Sequence, residues 1–210
     1  MKSLVHKNVT LALTLIFLGG SGTVLAHHPM SGDTPTTVWQ GLLSGLGHPI
    51  IGIDHLAFIA PVGLLCAFAR LRSLGLPLAL VGATVLGAVL QWSGFTLAYT
   101  ELMVAGSVIA AGLMLYHAPA RLDATRLVFA LAAVCHGLAY GEAIIGAEPA
   151  PLNAYLVGFS LVQMMIAGLA FVAGGALLNL NLKVLQITRN ISAALVGGIG
   201  LLTLSTAVPT

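Results

Sequence analysis

Two short stretches carry ionisable side chains inside otherwise apolar sequence: Gly47-His48-Pro49-Ile50-Ile51-Gly52-Ile53-Asp54-His55 and Cys135-His136-Gly137-Leu138-Ala139-Tyr140-Gly141-Glu142. Imidazole nitrogen and carboxylate oxygen are ligand types for divalent first-row metal ions. In the first stretch His48 and His55 are seven residues apart, which on a regular helix means one face but an axial separation of roughly 10.5 Å. Metal–nitrogen bonds of about 2.0–2.1 Å cannot bridge that gap. A break at Pro49 and Gly52 swings His48 back toward Asp54 and His55 and removes the difficulty. In the second stretch His136 and Tyr140 are four apart and share a helix face. Glu142, six residues from His136, lies about 120° around the helix, so it joins them only if the helix distorts near Gly141; otherwise it meets another neighbour.

The surroundings of these stretches are membrane. Of 210 residues 58% are hydrophobic and 7% charged, against about 25% charged in an ordinary soluble domain. A carboxylate or imidazole at bilayer depth costs several kcal/mol, roughly 2.5–3.5 for Asp on insertion scales, and so tends to face a bundle interior and mark a pathway. The eight Lys and Arg are too few and scattered for the basic stripe that nucleic-acid binding requires. Cys66 and Cys135 form no CxxC pair and read as small core residues. No P-loop pattern is present, so ATP hydrolysis by that route is excluded.

The elements that must position the two clusters follow from the hydropathy. Lys2 and Lys7, the apolar run Val9 to Leu18 and the small-residue site Val24-Leu25-Ala26 read as a signal peptide over 1–26, cleaved after Ala26. A periplasmic N-terminal segment, 27–37, follows; its His27 and His28, with a free α-amine and Asp33, form a candidate mobile chelator at the mouth. Residues 38–208 read as a six-helix transmembrane domain, with spans near 38–68, 76–97, 102–115, 127–145, 152–178 and 191–208. The fold class is therefore all-α, a polytopic membrane protein. Arg70 and Arg72 follow span one, Arg121 and Arg126 lie between spans three and four, and Lys183 and Arg189 between spans five and six, all on one side, a positive-inside pattern that puts the mature N- and C-termini in the periplasm of a bacterial inner membrane. Six spans divide into two inverted three-helix halves, with spans one and four in correspondence. At about 1.5 Å per residue, Asp54 and His55 lie roughly 24 and 22 Å from Arg70, and His136 and Glu142 roughly 15 and 24 Å from Arg126. The two clusters thus overlap in depth and can form one site. Gln163, Met164 and Met165 read as core, with lining of a path as the alternative, and the paired glycines at 174–175 and 197–198 read as helix-packing faces.

The pairing of His48-x5-Asp54-His55 (with Pro49 and Gly52) and His136-Gly137-x-Ala139-x-Gly141-Glu142 resembles the HupE/UreJ family of nickel and cobalt permeases. The resemblance covers essentially the whole mature chain, and the paired motifs are specific. It implies a secondary permease, not an enzyme, with no cofactor beyond the transported Ni²⁺ or Co²⁺, and with His48, Asp54, His55, His136 and Glu142 at the metal. The chain departs from the pattern at Tyr140, where the family often has a second histidine, and at Cys135, where an aromatic is common. A phenol with a pKa near 10 is a poor ligand at neutral pH, so Tyr140 bears on which ion is chosen. Lipid and the ion are the partners to expect; nothing in the sequence points to a protein partner. Rival readings are an intramembrane zinc-dependent hydrolase with Glu142 as general base, and a structural or haem-binding membrane subunit with His55 and His136 as axial ligands.

Overall fold

The computed structural model describes residues 34–117 and 123–207, apart from the side chains at 123–125. The expected signal peptide, His27, His28 and Asp33 lie outside the described residues, as do Arg121 and Val208. Among the described residues there are seven helices and no strands: α1 (Val38–Ile51), α2 (Ile53–Phe68), α3 (Gly75–Trp92), α4 (Thr100–His117), α5 (Asp123–Glu142), α6 (Pro149–Leu177) and α7 (Leu182–Ala207). α3, α4, α6 and α7 are each long and apolar enough to cross a bilayer, and the pair α1 and α2 makes a fifth if counted as one bent span. Large apolar side chains such as Leu127 (69% exposed), Val172 (69%) and Leu182 (82%) remain on the outer surface. This is the surface of a protein solvated by lipid.

α1 begins with a capping box: the Thr37 hydroxyl accepts the Gln40 N–H at 3.2 Å and the Gln40 side chain accepts the Thr37 N–H at 3.2 Å. This pairing satisfies two N-terminal donors and fixes where the helix starts. The helix carries Pro49 within its last turn and ends where Gly52 leaves helical geometry at φ −71°, ψ 92°. α2 resumes at Ile53, and the two axes differ by 75°. The expected break is therefore present, but it falls at Gly52, after Pro49 has completed the last turn of α1. Ile50, Ile51 and Ile53 are exposed at the bend, whereas His48, Asp54 and His55 are buried. The bend sorts apolar side chains outward and polar ones inward.

α2 is the central helix. Its Phe58, Val62, Leu65 and Cys66 are buried against Val108, Ala111 and Leu115 of α4, Leu80 of α3, Phe129 and Ala133 of α5, and Ala193 of α7. A second cluster joins Ala88 of α3, Tyr140 of α5, Ile144, and Tyr155 and Phe159 of α6. Around α2 the other helices pair with backbones in direct contact. A Cβ at Gly45 of α1 would strike the Tyr155 carbonyl of α6, and one at Gly137 of α5 would strike the Thr84 carbonyl of α3. Small residues permit this approach, which replaces the hydrophobic drive that lipid cannot supply between helices. The paired glycines behave unequally: Gly174 packs against Ala67, and Gly197 is approached by Gly112, but a Cβ at Gly175 or Gly198 would meet nothing.

The helix limits differ from expectation at several ends: α3 stops at Trp92, five residues short of 97, and the start of α7 differs most. α7 starts at Leu182, nine residues before the predicted 191, because Asn181 accepts the Val184 N–H at 2.9 Å and caps a polar first part containing Lys183 and Arg189. The third span, short if it stops at Leu115, takes the expected extension: α4 runs on to His117, since nothing in Leu115-Tyr116-His117 breaks a helix.

Candidate metal site

The bend at Gly52 brings together residues that the linear sequence separates. The rings of His48 and His55 lie 5.2 Å apart between centroids, half the axial separation of a straight helix. His48 is 1% exposed, Asp54 2% and His55 3%. Gly52 is what allows the approach: a Cβ there would sit 2.6 Å from His55 Cδ2 and 3.4 Å from Asp54 Oδ1. Asp54 stands in the first turn of α2, where the helix N-terminus favours a negative charge, and its Oδ1 accepts the His55 N–H at 2.8 Å.

α5 supplies the other side. His136, 1% exposed, places its Nδ1 2.8 Å from Nδ1 of His55. Tyr140, one turn on, stacks on the His55 ring at 4.1 Å and 19° and lies 4.8 Å from the His48 ring. Phe58 stacks on His136 at 4.2 Å and 20°, and Phe159 stacks on Tyr140 at 5.0 Å and 6°. The three imidazoles thus occupy a polar centre sandwiched between aromatic faces. α1, α2 and α5 thus bring His48, Asp54, His55, His136 and Tyr140 into one buried cluster.

Glu142 is not brought in. α5 remains helical through Glu142, so no distortion at Gly141 turns the carboxylate inward, and the side chain stays exposed at the helix end. The Gly141 carbonyl is instead occupied by Trp92 Nε1–H at 2.9 Å. Among the described residues, moreover, no three His, Cys, Asp or Glu side chains already converge as a ligand set. The reason lies in the histidine pair: the nitrogens that His55 and His136 turn toward one another are joined by a hydrogen bond and do not point at a common centre.

Two residues absent from the sequence expectation complete the cluster. Tyr155 of α6, fully buried, has its hydroxyl 2.8 Å from His48 Nδ1 and 2.9 Å from the Tyr140 carbonyl oxygen. Ser107 of α4 has its Oγ 2.9 Å from His136 Nε2 and 2.7 Å from the Val104 carbonyl. Single hydroxyls in apolar helices carry no spacing signal. For Tyr155 one was available in retrospect, since Tyr155, Phe159 and Gln163 fall at i, i+4 and i+8 on one face of α6.

Gln163 is 1% exposed; its Oε1 is 3.2 Å from the Thr84 hydroxyl of α3, while its Nε2 has no hydrogen-bond partner. Two turns separate it from Tyr155 along α6, which places a buried polar group beyond the aromatic layer. Cys66 is buried in the core, and Cys135, half-buried, directs its thiol to Met103 Sδ at 3.7 Å.

A protein-family model described as HupE / UreJ protein matches residues 15–203. No curated protein and no solved structure matches the chain.

Proposed function

This chain belongs to the HupE/UreJ family, and on that footing we propose that it is a multi-pass permease that carries a divalent transition-metal ion, nickel or cobalt, inward across a bacterial inner membrane. The observation that carries the reading is the occluded cluster of His48, Asp54, His55 and His136, each 3% exposed or less, at the bend of a broken span. Non-helical backbone at membrane depth is tolerated where it is buried in protein or lines a cavity, and transporter sites form at discontinuous helices.

The ion is the cargo. Asp54 supplies the negative charge and the imidazoles supply neutral nitrogen donors. The hydrogen bond between His55 and His136 describes a resting state in which one proton sits where an ion would have to enter. Binding therefore separates these two rings, and the helices that carry them, α2 and α5, move with them. Inward passage runs past the Phe58 and Phe159 layer to Gln163 and Thr84, the next buried polar groups toward the Arg70 end of α2. The membrane potential is a sufficient drive, since moving two charges inward yields roughly 4.6 kcal/mol per 100 mV. Six spans, with the mature termini in the periplasm, accord with the arginine and lysine distribution.

Helix pairing supports two inverted halves. α1 packs on α6 as α3 packs on α5, and α2 meets α7 as α4 meets α5, while α4 with α7 and α3 with α6 exchange into themselves. This set of pairs is preserved when residues 38–117 and 123–207 are interchanged, although α2 also packs on α3 and on α4. A rotation that fails to superpose the two halves contradicts this reading.

Nickel and cobalt accumulation in cells expressing the wild type, Asp54→Ala and His136→Ala at equal membrane levels tests the function. The variants are expected to accumulate neither ion above cells lacking the protein; equal accumulation by all three refutes the proposal. Two further results are expected. Because imidazole ligates only when neutral, uptake declines on acidification as the cluster's imidazoles take up protons; initial rates between pH 8 and 5 check this, and a rise toward acid pH points to proton symport. Gln163→Met removes a buried amide whose unmatched N–H costs about 1–3 kcal/mol. The variant should melt no lower than wild type, yet carry metal roughly tenfold more slowly, equivalent to about 1.4 kcal/mol in the barrier.

A further inference from the structure

At the end of α2 remote from the histidine cluster, the turn into α3 is held in a fixed shape. The Arg70 N–H donates to the Ala67 carbonyl at 2.9 Å and the Leu71 N–H to the Cys66 carbonyl at 3.0 Å, the pair of bonds that closes a helix C-terminus. They hold Arg70 at φ 54°, in the left-handed region that a residue with a Cβ seldom adopts. The chain turns there and brings Arg72 and Ser73 round to the start of α3. That helix opens without a side-chain cap, its N-cap residue being Leu74. Pro77 has no N–H to offer, and the first-turn N–H groups of Gly75 and Leu76 have no partner within the helix.

These residues wall a cavity of about 480 Å³ whose other side is α5, through Arg126 and Ala130. Two guanidinium groups, one hydroxyl and an uncapped helix N-terminus, where the helix dipole favours negative charge, thus line one space. Among the described residues no carboxylate lines it. Arg126 has another interaction as well, and the site does not require it to be free: a guanidinium carries five N–H donors, and a bidentate contact with phosphate uses two. The rest of the wall is apolar, from Leu71, Leu76, Ala79 and Leu80. Leu78, next to Ala79, and Leu127, next to Arg126, are 61% and 69% exposed on the surface that meets lipid.

We propose that this cavity is the headgroup site of an anionic phospholipid, with the phosphate held by Arg72 and Arg126 and the acyl chains lying along the exposed face of Leu78 and Leu127. Charge selects the class of lipid. Two cations without a lining carboxylate match a headgroup of net negative charge, whereas a zwitterionic one sets its ammonium against the arginines. The apolar wall selects the source, since a free phosphate has nothing to place against Leu71, Leu76 and Leu80. Basic pockets between transmembrane helices, on the side where Lys and Arg collect, bind such headgroups. The lipid joins the turn that ends α2 to the start of α5, and so ties together the two helices that carry His55 and His136. Its site is separate from the histidine cluster, roughly 15 Å along α5 from His136, and involves no metal ion.

Native mass spectrometry of the purified full chain, titrated in neutral detergent with phosphatidylglycerol or phosphatidylcholine, tests the proposal. The wild type is expected to bind its first phosphatidylglycerol at least about tenfold more tightly than phosphatidylcholine. Arg72→Gln and Arg126→Gln, both at exposed positions, should each lose most of that preference. Lys183→Gln, exposed and outside the cavity, should keep it. Thermal melting gives a second reading: phosphatidylglycerol should raise the wild-type melting temperature over that in phosphatidylcholine by roughly 5–10 °C, and neither arginine variant should show the rise. Each protein is compared with itself in the two lipids, so a change in its basal stability does not enter. No preference in the wild type, a preference unchanged in both arginine variants, or an equal loss in Lys183→Gln overturns the proposal. So does inorganic phosphate that reproduces the thermal shift without lipid, which identifies a free-anion site. Nickel and cobalt take no part in these measurements, so the permease reading stands or falls separately.

Discussion

Asp54→Asn is expected to abolish metal uptake, by about 100-fold or more per inserted protein, without unfolding the chain. The substitution keeps the size of the side chain and an oxygen able to accept the His55 N–H, the bond that Asp54 Oδ1 makes at 2.8 Å. What it removes is charge. At 4 Å and an effective dielectric constant near 20, one carboxylate attracts a doubly charged ion by about 8 kcal/mol. Part of that offsets the dehydration of the ion, but among the described residues no other carboxylate reaches the cluster, because Glu142 stays exposed at the end of α5. Even a small share of the attraction exceeds the roughly 2.7 kcal/mol that corresponds to 100-fold. Uptake rates normalised to membrane-inserted protein measure the effect. Retention of uptake within a few-fold would mean that the ion does not approach Asp54.

The second large effect falls on the scaffold. Gly137→Ala is expected to lower the melting temperature of purified protein and to disturb His136, its neighbour in α5. The added Cβ would lie 2.8 Å from Gly87 Cα and closer still to the Thr84 carbonyl, and backbone atoms of a packed helix pair cannot move aside as a side chain can. Overpacking of this kind costs typically about 1–3 kcal/mol, and for a chain of this size each kcal/mol corresponds to roughly 2–4 °C. The control is Gly106→Ala, where an added Cβ meets nothing within 4 Å. There the better helix propensity of alanine, about 1 kcal/mol over glycine, should hold the melting temperature level or raise it. Equal shifts for both variants would show that the α3–α5 contact is looser than its geometry implies.

Much of the site was readable from residue types and depth. Charge and imidazole in apolar sequence are costly enough to be conspicuous, and the mismatch between seven-residue spacing and metal bond lengths demanded a break beside His48. The structure supplies it at Gly52. The same helical arithmetic that put Glu142 about 120° from His136 was a reason to doubt its place at the centre, and the unbroken end of α5 leaves it outside. Ser107 and Tyr155 were not legible because a lone hydroxyl in an apolar helix resembles any other packing residue until its partners are known. The direct backbone contacts at Gly45 and Gly137 were equally hidden, since glycine is frequent throughout this chain and several of its positions, Gly82 and Gly106 among them, pack against nothing close. The early start of α7 left no trace in the hydropathy, which marks where a span enters lipid and not where its helix begins.

Purified protein in liposomes decides whether the occluded histidine and aspartate cluster moves a divalent transition metal across the bilayer. Nickel or cobalt is added outside, a potential negative inside is imposed, and the metal trapped in the lumen is measured with time. The wild type should accumulate metal in response to the potential, and Asp54→Asn should accumulate none above protein-free liposomes. Accumulation that is the same for both proteins, or absent from a correctly inserted wild type, would mean that the cluster is not a transport site.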